Sequence, residues 1–405
     1  MKHLMLLAIP MVWILVGCDD GEPQPPIEPA EPVEPPQAEV EPVSLDAATA
    51  ATNAFALDLL RTVEGDDLHL SPVSIAAAFS MVAYGARGET HAEMLRTLHL
   101  DEVPGNTAGG FAKLTRSSDG FKLSVINAVW AAEDLQIESD YEVNLQLNFG
   151  VGVIPLDFTD PEAAAERINS WVEQTTAERI TDLVSPDSID PDATRLMLTS
   201  AVYFNADWQQ PFEKESTFDR PFATPGGAVD VPRMHQTARF GYAKLDAAAA
   251  LRMPYEGDAT MVVLLPDEGE SLDAIIDQLD VSKLDAALVD QQVRVGIPKF
   301  QTRFNTSLIE TMKSLGMTLP FAEGADFGGI TTTETLRVGT AVHEMYIRVD
   351  EKGTQAAAAT ALGMEATSIP PMDMAEFIVD RPFAYLIRSA DGVILFAGKV
   401  SDPRK

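Results

Sequence analysis

Hydrophobic and polar positions follow two different periods from residue 44 to the end of the chain. Apolar residues at helical spacing predict helices that begin at a cap formed by Ser44 or Asp46, at Pro72 and at Pro161. Runs rich in Val, Ile and aromatic residues predict strands. These strands are expected at residues 123–131, 195–208, 261–265, 293–297, 383–388 and 393–400, with a hairpin turn at Asp391-Gly392 between the last two. Because no linker interrupts this pattern, we expect one mixed α/β (α+β) domain over residues 44–405.

The beginning of the chain has the pattern of an export signal. Lys2 precedes an apolar run over residues 4–16, which is too short for a stable membrane-spanning helix. Leu15-Val16-Gly17-Cys18 resembles the bacterial lipobox, in which the cysteine is lipidated and becomes the mature N-terminus. The alternative is a buried free cysteine in an N-terminal strand or helix. We predict a lipoprotein signal peptide over residues 1–17 and a lipid on Cys18.

Residues 18–43 form the predicted linker between the lipid and the body of the protein. Eight prolines and eight acidic residues fall between Asp19 and Pro42. Proline fixes φ and like charges repel, so the segment is expected to be an extended spacer. We therefore expect the protein in a bacterial cell envelope, anchored by lipid to the inner or the outer membrane, with its body in the periplasm or at the cell surface. Asp19 resembles an inner-membrane retention signal, but this rule does not decide between the two membranes.

Composition excludes several classes of function. The formal net charge is -33, with 29 Lys and Arg against 62 Asp and Glu. Binding of nucleic acid needs clustered cations, so we expect no nucleic-acid partner and no electrostatic docking on an anionic membrane. The single cysteine, Cys18, excludes a disulfide framework, a cysteine-based zinc site and a CxxC redox motif.

Common catalytic motifs are absent as well. The chain has no phosphate loop, no GxGxxG after a strand, no HExxH and no GxSxG. His91 and His99 lie eight residues apart without an evident third ligand, and the simpler interpretation is that they are solvated or capping histidines. We therefore expect no metal, no cofactor and no enzymatic activity.

The segment from Glu351 to Thr360, Glu-Lys-Gly-Thr-Gln-Ala-Ala-Ala-Ala-Thr, is unusual for a folded acidic protein. Alanine favours helix, so a short alanine-rich helix is one interpretation. As a strand, the segment instead has a period of two. Small or apolar side chains share one face, at Thr354, Ala356, Ala358, Thr360, Leu362 and Met364. Small side chains at the leading end suit a strand that enters the middle of a sheet, because bulky or charged ones would obstruct entry.

This segment resembles the hinge of the serpins, and motifs along residues 45–403 agree with that resemblance. They are Leu70-Ser71-Pro72-Val73-Ser74-Ile75, Tyr84-Gly85-Ala86-Arg87-Gly88-Glu89-Thr90, the run from Leu198 to Trp208, Pro298-Lys299-Phe300, His343, Arg381-Pro382-Phe383 and Phe396-Ala397-Gly398-Lys399-Val400. The resemblance implies the serpin fold, with a central five-stranded sheet A, smaller sheets, about nine helices and an exposed reactive-centre loop.

The resemblance also implies a function, namely irreversible suicide inhibition of serine proteases. A protease cleaves the loop, and the loop then inserts into sheet A and traps the acyl-enzyme. The alternative is a serpin that does not inhibit and acts as a binding or structural surface lipoprotein. The resemblance assigns a hinge, a polar cluster beneath the sheet called the shutter, and a tryptophan at the sheet's upper opening, called the breach. The hinge residues are Glu351, Gly353, Thr354, Ala356, Ala358 and Thr360, the shutter residues are Ser71, Ser74, Ser200 and His343, and the breach residue is Trp208.

Two positions depart from the family pattern. Gln355 replaces the usual glutamate on the outward face of the hinge, where we expect little effect. Ser200 replaces the usual asparagine of the shutter, and its shorter reach predicts fewer hydrogen bonds and an easier opening of the sheet.

The position of the cleaved bond follows from the family's fixed count. Sixteen residues on from Glu351 is Thr367, so the reactive bond is expected between Thr367 and Ser368, with Met364 as the runner-up and Glu365 third. Ile369 is disfavoured because a proline follows it. No Lys or Arg occurs from residue 353 to 380, and Thr367 is small, so the expected partners are elastase- or subtilisin-like serine proteases, with cysteine proteases as a further class. We expect a monomer.

Overall fold

The computed structural model describes residues 45–63, 65–100, 121–176, 178–354 and 374–405, all of which belong to one compact unit. The predicted signal peptide, the linker and Cys18 lie outside these ranges and stay predictions. So do Gln355, Ala356, Ala358, Thr360, Met364, Glu365, Thr367, Ser368 and Ile369.

Helices pack around two sheets in the described part of the chain. They are α1 Leu45–Thr62, α2 Pro72–Ala83, α3 Gly88–Thr97, α4 Ser139–Phe149, α5 Pro161–Thr175, α6 Leu272–Asp277, α7 Val281–Ala287 and α8 Leu308–Ser314. Prolines open α2 and α5, as the sequence predicts, because a proline at the first turn removes no helical hydrogen bond. Asp46 lies inside the first turn of α1, so it is not that helix's cap. None of the described helices is long and apolar enough to cross a membrane.

Fifteen strands form the two sheets of the described residues. They are β1 Leu68–Leu70, β2 Phe121–Ala132, β3 Val153–Leu156, β4 Leu196–Asp207, β5 Thr217–Thr224, β6 Gly227–Lys244, β7 Ala248–Pro254, β8 Thr260–Pro266, β9 Val289–Pro298, β10 Phe300–Ser307, β11 Thr340–Val349, β12 Gly353–Thr354, β13 Ala375–Ile378, β14 Phe383–Arg388 and β15 Ile394–Val400. The mixed α/β prediction is confirmed, and each of the six predicted strands is present.

The main sheet has the strand order β10-β11-β12-β4-β2-β3. Five of these strands run through the sheet, and β12 adds only two residues at one end. This arrangement matches the central five-stranded sheet expected from the resemblance. Helix α2 is buried along its whole length and packs against β2 and β4, so the core of this half lies between α2 and the inner face of the sheet.

The remaining strands form one continuous nine-stranded sheet where smaller sheets were expected. The reason is the length of β6, which has 18 residues. Its first half pairs with β5, its middle with β9 and its end with β7, so one strand belongs to both parts of the sheet. Strand β13 lies at the edge and pairs in parallel with β9.

Candidate functional site

The candidate functional site lies along the boundary between β4 and β11, which we call the seam. The two strands pair in parallel from Thr340 opposite Met197 to Tyr346 opposite Tyr203. Above Tyr346 the strands no longer pair with each other, and β12 lies between them instead. The seam is therefore closed over most of its length and already holds an inserted strand at one end.

A tight turn returns the chain from β11 into this opening. The Asp350 amide donates to the Gly353 carbonyl at 2.9 Å, and the Gly353 amide donates to the Asp350 carbonyl at 3.2 Å. Gly353 has φ of 153°, and a Cβ there would lie 2.1 Å from the Ala206 carbonyl oxygen. Only glycine fits this position, because the obstruction is backbone that cannot move aside.

Thr354 is the last described residue of the hinge, and it is fully buried. It pairs with Val349 on one side and with Ala206 on the other. Its hydroxyl lies 2.8 Å from the hydroxyl of Tyr255, whose pKa burial raises well above its ordinary range. The first hinge side chain therefore faces the core and has a polar partner there.

Trp208 closes the end of the seam beside the hinge. Its ring stacks on Tyr255, with centroids 4.1 Å apart and planes 10° from parallel. The indole N–H donates to the Asp350 carbonyl at 3.0 Å, and the backbone amide donates to the Lys352 carbonyl at 2.6 Å. Trp208 thus holds the turn from both its side chain and its backbone.

Glu351 fixes the other side of the turn. Its carboxylate accepts hydrogen bonds from Lys299 at 2.8 Å and from the Thr217 hydroxyl at 3.0 Å. Burial alone would raise the pKa of Glu351, but these hydrogen bonds hold it below its ordinary value. The charged form is therefore favoured, and it ties the base of the hinge to β5 and to the start of β10.

The four predicted shutter residues meet beneath the seam, where all of them are buried. The Ser71 amide donates to Nε2 of His343 at 3.2 Å, so Nε2 carries no proton. The imidazole is then a donor at Nδ1, which lies 3.0 Å from the Ser200 hydroxyl. Ser200 in turn lies 2.8 Å from the hydroxyl of Ser74. One backbone amide therefore sets the direction of the whole chain of hydrogen bonds.

Asn127 completes the shutter, a role that no motif in the sequence predicts. The Ser74 hydroxyl donates to Oδ1 of Asn127 at 3.1 Å, and Nδ2 of Asn127 donates to the Ser74 carbonyl at 3.1 Å. Asn127 stands opposite Ser200 on the neighbouring strand β2. The side-chain amide of Asn127 thus adds hydrogen bonds to the cluster from the neighbouring strand. The expectation of fewer hydrogen bonds in the shutter considered only Ser200 and did not include them.

Acid is expected to destabilise the native protein through His343, whose pKa burial lowers to about 3. In the unfolded chain this histidine gains a proton near its ordinary pKa of 6.5, so stability falls as pH drops from 6.5 toward 3. Burial also lowers the pKa of His69, to about 4, which acts in the same direction. Each such histidine contributes about 1.4 kcal/mol per pH unit in this window. Urea unfolding of wild type and His343→Gln at pH 7.5 and 5.5 measures this, and equal pH dependence in the two proteins would contradict it.

The two histidines considered as ligands do not form a metal site. His91 belongs to α3, whereas His99 follows that helix and lies 2.7 Å from the Asp58 carboxylate. Across the described ranges no group of three or more His, Cys, Asp or Glu residues could hold a metal ion.

Comparison with known proteins agrees with this geometry. Residues 50–403 match the family model of the serpins, the serine protease inhibitors. A serpin-like protein of Thermococcus kodakarensis is 36% identical over 370 residues, which cover 87% of this chain and 85% of that protein. The leukocyte elastase inhibitor of Bos taurus is 32% identical over 382 residues, covering 89% of this chain and 100% of the inhibitor.

The fold also matches solved structures. Human thyroxine-binding globulin, solved in complex with thyroxine, superposes with a TM-score of 0.81 at 27% identity, over 89% of this chain and 100% of the globulin. The match to the family over most of the chain and the seam with its hinge, breach and shutter lead to the same conclusion: the chain belongs to the serpin family, whose members are mostly protease inhibitors.

Proposed function

We propose that this serpin is an irreversible, single-use inhibitor of serine proteases and has no catalytic activity of its own. The observation that carries the proposal is β12, the two-residue strand seated between β4 and β11. Full insertion of the loop needs a strand that starts at this place and a seam that can open below it. Because the first side chain, Thr354, is already buried there, insertion continues an existing strand and needs no new nucleus.

The register of β12 supports the predicted cleavage position. Thr354 stands opposite Ala206, so an antiparallel strand continued in the same register brings Met364 opposite Leu196, the first residue of β4. Cleavage after Met364 would leave no chain between the inserted strand and the trapped protease. Cleavage after Thr367 leaves three residues beyond the end of β4, which gives the acyl bond room at the edge of the sheet.

The target class follows from the side chains near that bond. Thr367 is small and β-branched, which suits the shallow pockets of elastase- or subtilisin-like enzymes, and the related bovine protein is named for its inhibition of leukocyte elastase. A trypsin-like pocket needs Lys or Arg, and residues 353–380 contain neither. Cysteine proteases are a further class with which the same loop would react.

A protease panel tests the proposal directly. We expect a complex with elastase or subtilisin that survives SDS, no such complex with trypsin, and a released peptide whose mass places Ser368 at its N-terminus. A peptide beginning at Glu365 would move the cleavage site to Met364. A stable trypsin complex would overturn the specificity argument.

A second candidate function rests on the likeness to thyroxine-binding globulin, which shows that the same fold can carry a small ligand. In that case the chain would be a binding or structural surface lipoprotein that does not inhibit. The panel separates the two functions, because a protein of this kind would be cleaved in the loop without forming any covalent complex.

We also propose that the protein acts as a monomer on a lipid anchor, with its body in the periplasm or at the cell surface. The Cys18→Ser variant is expected to lose its lipid and to move from the membrane fraction to the soluble fraction, because Cys18 is the only cysteine available for lipidation. Fractionation of cells that express each form measures this. A variant that stays with the membranes would show that the lipobox prediction is wrong.

A further inference from the structure

A cavity of about 180 Å³ lies between the edge strands of the two sheets. Strand β10 is the outer strand of the main sheet, and β1 is the outer strand of the other sheet. Phe300, Thr302 and Phe304 alternate along β10, so they share one face of that strand, and all three line the cavity. His69 of β1 lines it as well. The cavity therefore lies outside the seam.

His69 brings a hydrogen-bond donor to this cavity. The residue is only 4% exposed, and its Nδ1 lies 3.0 Å from the Tyr385 hydroxyl. Tyr385 is fully buried, and burial raises its pKa well above the ordinary range, so the hydroxyl keeps its proton. Among the described residues Nδ1 is the one partner of this hydroxyl, so the proton is donated to Nδ1. The other ring nitrogen, Nε2, then carries the hydrogen.

The Nε2–H group of His69 has no hydrogen-bond acceptor in the described part of the chain. A buried donor without an acceptor is unfavourable, and most buried donors in proteins have one. Because Nδ1 faces Tyr385 and the ring borders the cavity, Nε2 is the nitrogen available to a molecule inside it. The cavity is therefore suited to a ligand that has a hydrogen-bond acceptor.

Aromatic and aliphatic side chains form much of the remaining wall. Phe304 meets the His69 ring edge to face, with centroids 5.9 Å apart. Phe300, Val400 and Pro403 add further apolar surface. For comparison, an engineered apolar cavity of about 150 Å³ holds one benzene molecule. One aromatic ring with a small substituent therefore matches this cavity in size and in surroundings.

The charge around the cavity is already balanced. Four charged side chains belong to its lining, and each forms an ion pair: Asp67, Arg303, Asp402 and Lys405. His69 is itself neutral near pH 7, because burial lowers its pKa to about 4. Burying an ion without a counter-charge is unfavourable. The lining that the structure describes therefore favours a neutral ligand over an anion or a cation.

Asp67 fixes the chain segment that completes the lining. Its carboxylate accepts hydrogen bonds from the backbone amides of Ser401 at 2.6 Å and of Asp402 at 3.1 Å. These bonds hold the segment that contributes Val400 and Pro403 to the wall. Because the cavity is preformed in this way, little conformational ordering opposes binding.

We propose that this cavity is a binding site for a small neutral molecule that has one aromatic ring and a carbonyl oxygen. The ring lies against Phe300 and Phe304, and the oxygen accepts the hydrogen bond from Nε2 of His69. The site uses no residue of the hinge, the breach or the shutter. Its existence is therefore independent of the proposed inhibition of proteases, which the protease panel tests separately.

Calorimetric titration of the intact protein at pH 7.5 tests the site with three probes of similar size. Acetophenone has the carbonyl acceptor, isopropylbenzene has the same shape without it, and benzoate has a carboxylate in its place. We expect acetophenone to bind about tenfold more tightly than isopropylbenzene, because the latter leaves the buried donor unpaired. Benzoate is expected to bind more weakly than acetophenone, because the lining has no free counter-charge for it.

Two variants and a matched control locate the binding. The double variant His69→Phe/Tyr385→Phe removes the donor without leaving the Tyr385 hydroxyl unpaired, and it is expected to bind acetophenone and isopropylbenzene equally. A loss of stability alone would not change this selectivity. Thr302→Phe places a ring in the cavity and is expected to abolish binding of both probes. Gln301→Phe is the control, because Gln301 is exposed on the opposite face of β10, and it is expected to bind like wild type.

Four results would overturn the site. They are no binding of acetophenone at millimolar concentration, equal affinities of the wild type for acetophenone and isopropylbenzene, unchanged binding in Thr302→Phe, and a preference for acetophenone that persists in the double variant. The last result decides alone if Thr302→Phe does not fold. Tighter binding of benzoate than of acetophenone would overturn the neutral class of ligand.

Discussion

Replacing Thr354 with arginine is expected to convert the protein from an inhibitor into a substrate of its target protease. Thr354 is fully buried against Tyr255, between Val349 and Ala206. An arginine there would place an unpaired charge in the core, at a cost of several kcal/mol. The strand could then not stay in the seam, and the protease would hydrolyse the acyl bond before insertion. The measurement is the yield of SDS-stable complex and the number of inhibitor molecules consumed per protease molecule.

Thr354→Ser is the matched control for this variant. Serine keeps the hydroxyl that reaches Tyr255 and adds no bulk, so we expect inhibition to remain close to that of wild type. An arginine variant that still inhibits with wild-type stoichiometry would show that burial of Thr354 is not needed, and the insertion mechanism would have to be abandoned.

Cleavage of the loop is expected to raise the melting temperature well above that of the intact protein. Continued in the register of β12, the cut strand pairs with β4 and β11 along the whole seam and brings Thr360 opposite both Ser200 and His343. Insertion separates Ser200 from His343, which are 3.0 Å apart in the closed seam. The Thr360 hydroxyl arrives on the same face and is able to replace that hydrogen bond. The inserted form therefore gains a central strand and keeps the polar cluster satisfied.

Differential scanning calorimetry of intact and loop-cleaved protein measures this difference. The cleaved Thr354→Arg variant serves as the control, because its strand is expected to stay outside the sheet and its melting temperature to remain near that of the intact form. Equal melting temperatures for intact and cleaved wild type would show that the native state stores no conformational free energy.

Strands with strong local patterns could be predicted from the sequence with close boundaries. Residues 383–388 predict a strand because they form an apolar run with aromatic residues and precede a hairpin turn, and β14 has those bounds. Half-exposed strands were harder to predict from the sequence. Strand β6 carries Pro232 and many exposed positions, and pairing with three neighbours stabilises it despite its weak local pattern. The length of β6 joins the remaining strands into one continuous sheet, and it depends on contacts between segments that are distant in the chain.

The described residues of the hinge and the four residues of the buried polar cluster could be identified from the sequence, because they occur in family motifs or in a segment of unusual composition. Asn127 could not be predicted, because no motif in its own strand marks it as a member of a buried polar cluster. It meets Ser200 only through the pairing of β2 with β4, 73 residues apart in the chain. The alanine-rich composition of the hinge also allowed a helix. Its first residues are extended instead, because Gly353 places its backbone between two strands where no side chain would fit.

The short strand β13 makes the intact loop a tether of fixed length. Residues 355–374 join β12 to Ala375, the first residue of β13, and Ala375 pairs with Val293 on the strand β9 that leads to Lys299, the partner of Glu351 at the base of the hinge. Zipping ten residues into the seam carries the chain about 33 Å along the sheet. The ten residues that remain reach at most about 36 Å on the way back. An uncut loop is therefore too short to complete its insertion unless β13 separates from β9. Cleavage of one peptide bond in the loop removes this restraint at once.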